Sequence, residues 1–107
     1  MNVVTDRVLA ALNDGDLDAF LTCYSADATI EDGNDTVLAC GHDEIRERYG
    51  PMFETFPELR VEALGRWAVG LYVVQEEQVT GRAPEAERHI AIYNLTGDAI
   101  ARERLLR

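Results

Sequence analysis

The sequence predicts an α+β fold in which three N-terminal helices pack on one face of a strongly curved, mainly antiparallel sheet. Three observations carry this. Apolar residues recur at helical spacing only in the first half of the chain, strand-like alternation takes over from Leu59, and the breaks between the later strands are too short for parallel crossovers. With 107 residues and no repeat, linker or low-complexity segment, the chain reads as one domain, residues 1–107, with one core.

Val4, Val8, Ala11 and Leu12 define a first helix, which Asn13-Asp14-Gly15 stops. Asp16 caps a second, short helix whose Leu17, Phe20, Leu21 and Tyr24 form one apolar stripe. Ala28 to Asp32 alternates as a strand, Gly33-Asn34-Asp35 turns it, and Thr36 to Cys40 returns. After Gly41, with Asp43 available as a cap, a third helix carries Ile45, Tyr49, Met52, Phe53 and Phe56 on one face; Pro51 bends it and Pro57 ends it. Four strands follow, near 59–67, 71–80, 87–95 and 99–106, joined at Val69-Gly70, Gly81 to Ala86 and Thr96-Gly97-Asp98.

Composition narrows the function. A formal charge of -10 argues against nucleic acid, whose binding draws on clustered cations. All ten basic residues are arginine, so an amine nucleophile of the lysine type is excluded. No apolar run reaches membrane-spanning length, and the first residues lack the basic flank and apolar block of a secretory leader; a soluble, cytoplasmic protein is expected. Cys23 and Cys40 lie in unrelated segments without metal-ligand spacing and are expected as buried free thiols. No metal site and no cofactor are expected. Neither a serine nucleophile elbow nor a phosphate-binding or dinucleotide glycine loop is present.

Alternation also assigns faces. Between Glu87 and Leu95 one side carries His89, Ala91, Tyr93 and Leu95, and the other Arg88, Ile90, Ile92 and Asn94. Both sides are partly apolar, which predicts a homodimer through the sheet face bearing Ile90 and Ile92. On the first strand Asp32 shares a side with Ala28 and Ile30, so it is a candidate base aimed at an apolar interior; the alternatives are a turn residue beside Gly33, or a slip of one that turns Glu31 inward. His89 is a candidate acid, base or oxyanion donor, against the plainer role of a core histidine. In Gln75-Glu76-Glu77-Gln78 one glutamate faces each side: Glu77 joins the interior if it follows Leu71 and Val73, with Glu76 pairing outward with Arg88, Arg102 or Arg104; the alternative, slightly favoured, is that both lie at a solvated sheet edge, salt-bridged to those arginines. Tyr24 and Tyr93 are the aromatic candidates for ligand contact.

Several segments taken together resemble the nuclear-transport-factor-2-like superfamily, in its ketosteroid-isomerase-like and SnoaL-like branch. They are Leu12-Asn13-x-Gly15-Asp16-Leu17-Asp18, Tyr24-x-Ala26-Asp27-Ala28, Gly41-x-x-x-Ile45-Arg46-x-x-Tyr49, Val79-Thr80-Gly81, and Ile90-Ala91-Ile92-Tyr93 with Gly97-x-x-Ile100. The resemblance implies a cone, with a curved sheet and three helices around one deep apolar pocket for a small apolar ligand. It implies that Asp32 is the base, while the positions of the two oxyanion donors of ketosteroid isomerases fall on Val8 and His89. SnoaL-like cyclases place their acid/base carboxylate on the strand of His89. The expected activity is that of an isomerase or cyclase abstracting a proton beside a carbonyl, with a non-catalytic ligand-binding or dimerisation module of the same fold as the alternative.

Overall fold

The computed structural model describes residues 3–107; Met1 and Asn2, on which the expectation about a leader partly rests, lie outside the described residues. The order of elements is α1 (Val3–Asp14), α2 (Leu17–Thr22), β1 (Tyr24–Asp32), β2 (Val37–Cys40), α3 (Gly41–Thr55), β3 (Arg60–Val69), β4 (Tyr72–Thr80), β5 (Glu87–Thr96) and β6 (Ala99–Leu106). The helices end where local chemistry dictates. Gly15, at φ +66°, turns the chain out of α1, and Asp16 accepts a hydrogen bond from the Ala19 N–H at the start of α2. At α3 the cap is Cys40 rather than Asp43: its N–H donates to Glu44 Oε1, a carboxylate reaching back from the first turn.

The strands form one six-stranded mixed sheet in the order β2-β1-β6-β5-β4-β3. Every pairing is antiparallel except that of β1 with β6, where the last strand returns beside the first. Register shifts interrupt four of the five ladders, and such bulges bend strands and increase their twist, which gives the sheet its curvature. The sheet is not closed, and the helices cover its concave face.

The core lies between them. Val4, Val8 and Ala11 of α1, Phe20 and Leu21 of α2 and Ile45 of α3 pack with Ile30, Val73, Ala91, Tyr93 and Ile100 of the sheet. A smaller cluster, Leu59, Val61 and Val79, sits under Leu9, Leu12, Met52 and Phe56. Tyr24 opens β1 instead of finishing α2, yet it still faces inward against Phe20 at a ring separation of 5.1 Å. The thiols divide: Cys23 is buried, whereas Cys40 is exposed at the edge strand, contrary to expectation. None of the described helices is long and apolar enough to cross a membrane.

Candidate functional site

Alternation along β4 buries Val73, Gln75, Glu77 and Val79, so two polar side chains enter the interior beside two apolar ones. They persist there because each is satisfied. Glu77 accepts at both oxygens: Oε1 from His89 Nε2 at 2.8 Å, and Oε2 from the Tyr93 hydroxyl and from Gln75 Nε2, each at 2.6 Å. Glu77 and His89 are direct cross-strand partners, which fixes their approach. With Nε2 carrying the hydrogen donated to the carboxylate, Nδ1 of His89 is left as the acceptor. Gln75 is itself oriented by Arg66, whose Nε donates to Gln75 Oε1 at 2.7 Å and whose guanidinium pairs with Asp6 of α1 at 2.8 Å. A continuous polar chain therefore runs from the first helix to the histidine.

A second buried carboxylate stands nearby. Glu103 on β6 is 5% exposed and accepts a hydrogen bond from the Tyr24 hydroxyl. Burial pushes its carboxyl up to about 8, the Tyr24 bond pulls against this, and the neighbouring Glu77 charge adds to the rise. Burial likewise holds the phenols of Tyr24 and Tyr93 well above their ordinary range, with the Glu103 charge reinforcing it, so both remain donors.

Glu77, Glu103, His89, Tyr24 and Tyr93 all line one cavity of about 60 Å³, whose remaining wall is largely apolar, including Val8, Phe20 and Leu105. Volumes typical of drug-sized ligands are several-fold larger, so this space takes a group of a few heavy atoms. Phe20 packs on both Tyr24 and Tyr49 at 5.1 Å and on Phe53 at 5.6 Å, making a stiff aromatic floor. Arg82, Arg107, Tyr49 and Met52 belong both to this cavity and to an adjoining surface groove of about 320 Å³.

Four of the residues singled out in the sequence, Tyr24, Glu77, His89 and Tyr93, are thus brought together. Asp32 is not with them and does not line the cavity. It lies opposite Leu105 at the end of β1, but its Oδ1 accepts from the backbone N–H groups of Asn34 (2.9 Å) and Thr36 (3.1 Å), making it the organiser of the β1–β2 turn. Glu31 faces away from the cavity in a two-point pair with Arg102 at 2.8 Å, and that guanidinium holds its carboxyl below the ordinary range. Glu76 pairs outward with Arg88 at 2.6 Å. His42 holds the Tyr24 carbonyl at 2.8 Å through Nε2.

Glu103 escaped the sequence reading because of one inserted residue. Asn94 pairs with Arg102 and Leu95 with Ile100, so Ala101 has no partner, and the inward parity of β6 changes from even to odd numbers. Strict alternation from Ile100 would have turned Arg102 and Arg104 inward and Glu103 outward. Among the described residues, no group of three or more His, Cys, Asp or Glu side chains is placed to hold a metal ion.

Comparison with known proteins fits this architecture. The family model described as the SnoaL-like domain matches residues 5–103. The chain belongs to the SnoaL-like domain family. Its fold is the NTF2-like cone, shared with a cystatin-fold protein of Novosphingobium aromaticivorans that is 25% identical at a TM-score of 0.87, covering 100% of this chain and 99% of that one. A candidate polyketide cyclase of Sinorhizobium meliloti is similar at 19% identity and a TM-score of 0.85, over 98% of this chain and 94% of its own. A protein of Catenulispora acidiphila with a ketosteroid-isomerase-like fold, bound to trimethylamine, matches at 17% identity and a TM-score of 0.76, over 96% and 83%. No curated protein matches this sequence.

Proposed function

We propose that this SnoaL-like chain, acting as one domain, binds a small carbonyl compound in the cone and moves a proton on it, as an isomerase or cyclase does. The observation that carries this reading is the pair of buried carboxylates in one cavity, one of which, Glu103, keeps its proton at neutral pH. His89, oriented through Nε2 by Glu77, takes the proton beside the carbonyl at Nδ1. The electron pair of the broken C–H bond passes to the carbonyl oxygen, which receives a hydrogen bond or the proton of Glu103. In a substrate with a C=C bond conjugated to the enolate, return of the proton from His89 to the far carbon, with any proton on the oxygen going back to Glu103, restores the carbonyl and completes an isomerisation. Tyr24 positions Glu103 and Tyr93 positions Glu77; Asp32 has no part in the chemistry. The candidate cyclase among the structural neighbours is in keeping with this class of reaction.

Deuterium exchange tests it. In D2O, pentan-2-one and cyclohexanone should lose α-hydrogen signal by NMR faster with the protein than in buffer, and His89→Gln should reduce that rate by roughly 100-fold. Exchange no faster than buffer, or an unchanged rate in the variant, sinks the mechanism. A second reading, a ligand-binding module without chemistry, is favoured by the small cavity and by the engagement of both Glu77 oxygens. It predicts saturable binding of these ketones without exchange.

Two further proposals concern context. The outer sheet face carries Trp67 at 62%, Val69 at 78%, Tyr72 at 55% and Ile90 at 41% exposure, and we propose that a second copy of the chain covers it. The unpaired thiols suit a reducing compartment, in keeping with work in the cytoplasm.

A further inference from the structure

We infer that the ligand is an anion, with a carboxylate or phosphate head held in the groove at the cavity mouth and an apolar body reaching inward. Arg48, Arg82 and Arg107 converge on this groove, and among the described residues no carboxylate lines it. In a chain with twenty acidic and ten basic residues, such a site is out of keeping with the rest of the molecule.

The other arginines are taken. Arg46, Arg66, Arg88, Arg102 and Arg104 pair with carboxylates, and Arg7 and Arg60 donate to backbone carbonyls. Arg82 pairs with Glu87 at 2.8 Å and so is held in place at the junction of groove and cavity. Arg48 hydrogen-bonds the Tyr49 side chain and Arg107 interacts with Glu87 through space, but among the described residues neither has a direct ion pair or a backbone-carbonyl partner, and both line the groove. Arginine forks suit the planar oxygens of carboxylate and phosphate.

Charge also fixes the direction of entry. The cavity holds the Glu77 carboxylate, which repels an anionic head, while the groove at its mouth attracts one. Tyr49 and Met52 line both spaces, giving the apolar body a continuous wall from one to the other. An oxo acid or a phosphorylated carbonyl compound would place its head at Arg48 and Arg107 and its carbonyl end toward His89.

This inference names the substrate class of the proposed site and rests on the cavity taking a ligand, but it is tested by binding and not by turnover. Calorimetry with hexanoate, hexyl phosphate and hexan-1-ol at low salt should give at least one of the anions a roughly 10-fold advantage over the alcohol, shrinking as salt rises. Whichever anion binds tighter identifies the head group. Arg48→Glu with Arg107→Glu should abolish the advantage, whereas the charge-matched pair Arg7→Glu with Arg46→Glu, neither of which lines the groove, should keep it. Equal binding of anions and alcohol, no binding of any of the three, persistence of the advantage in the groove variant, or its loss in the matched control would each overturn the inference. Anion binding without deuterium exchange would remove the proposed chemistry and leave this site standing.

Discussion

Tyr24 and Glu103 meet where β1 and β6 run parallel, the phenol donating into a carboxyl group that the interior keeps protonated. The proton on Glu103 couples the fold to pH. In the unfolded chain this glutamate ionises at an ordinary 4.5, and in the folded protein at about 8, so the folded state binds the proton more tightly. Its contribution is complete below pH 4.5 and is lost as pH rises to about 8. Urea unfolding between pH 4.5 and 8.5 should show stability falling by ~3–5 kcal/mol from this group. Glu103→Gln should flatten that fall, and an equal slope in the variant would show that Glu103 is not its source. Glu31, held low by Arg102, acts in the opposite sense and in a separate window, losing its stabilisation as pH drops below 4.5.

Gln75 makes no contact that chemistry would require, yet it decides how Glu77 stands. Arg66 occupies its oxygen, so its amide nitrogen points to Glu77 Oε2. Gln75→Leu should cost ~1–3 kcal/mol, because Glu77 and Arg66 each lose a buried partner. Gln75→Glu should cost more, since it turns a carboxyl toward Glu77. If activity is found, its pH profile should shift in both variants, which loss of packing alone would not produce.

Two glycines with similar backbone angles should respond very differently to alanine. Gly81, at φ +82°, has the Glu58 carbonyl where a Cβ would go, whereas Gly70, at φ +58°, has open space there. Gly70→Ala should cost ~1 kcal/mol from the left-handed conformation alone, and Gly81→Ala ~4 kcal/mol or more, through displacement of the segment leading into β3. Thermal melts compare them directly, and similar midpoints would refute the distinction.

The outer sheet face gives a prediction about assembly. Light scattering at micromolar concentration should report a dimer for the unaltered chain and a monomer for Trp67→Glu, with little change in far-ultraviolet circular dichroism. A monomer in both cases would leave that face without the second copy proposed for it.

The order of elements and the inward faces of β4 and β5 were legible in the sequence because they depend on local periodicity and on short turns. His89 could be placed inward by following Ala91 and Tyr93, and Glu77 only conditionally, by following Val73, because a solvated sheet edge suits a pair of glutamates as well. Asp32 stands apart from the cavity for a different reason. Asp32 has the parity of an inward residue, but at a strand end two backbone N–H groups of its own turn satisfy it, and alternation carries no information about that competition. The parallel pairing of β1 with β6 was also hidden, being a contact between the two ends of the chain. The groove arginines come from α3, the β4–β5 connection and the end of β6, and only the tertiary fold gathers them.

The unpaired Ala101 makes the interior of this cone sensitive to chain length more than to side-chain identity. Four consecutive residues, Arg102 to Leu105, alternate between a basic outer row and an acidic and apolar inner one, and one residue upstream decides which row is which. A single-codon deletion at that point would exchange the acid in the cavity for arginines with no substitution at all. Relatives that differ there by one residue should carry oppositely charged cavities on the same scaffold.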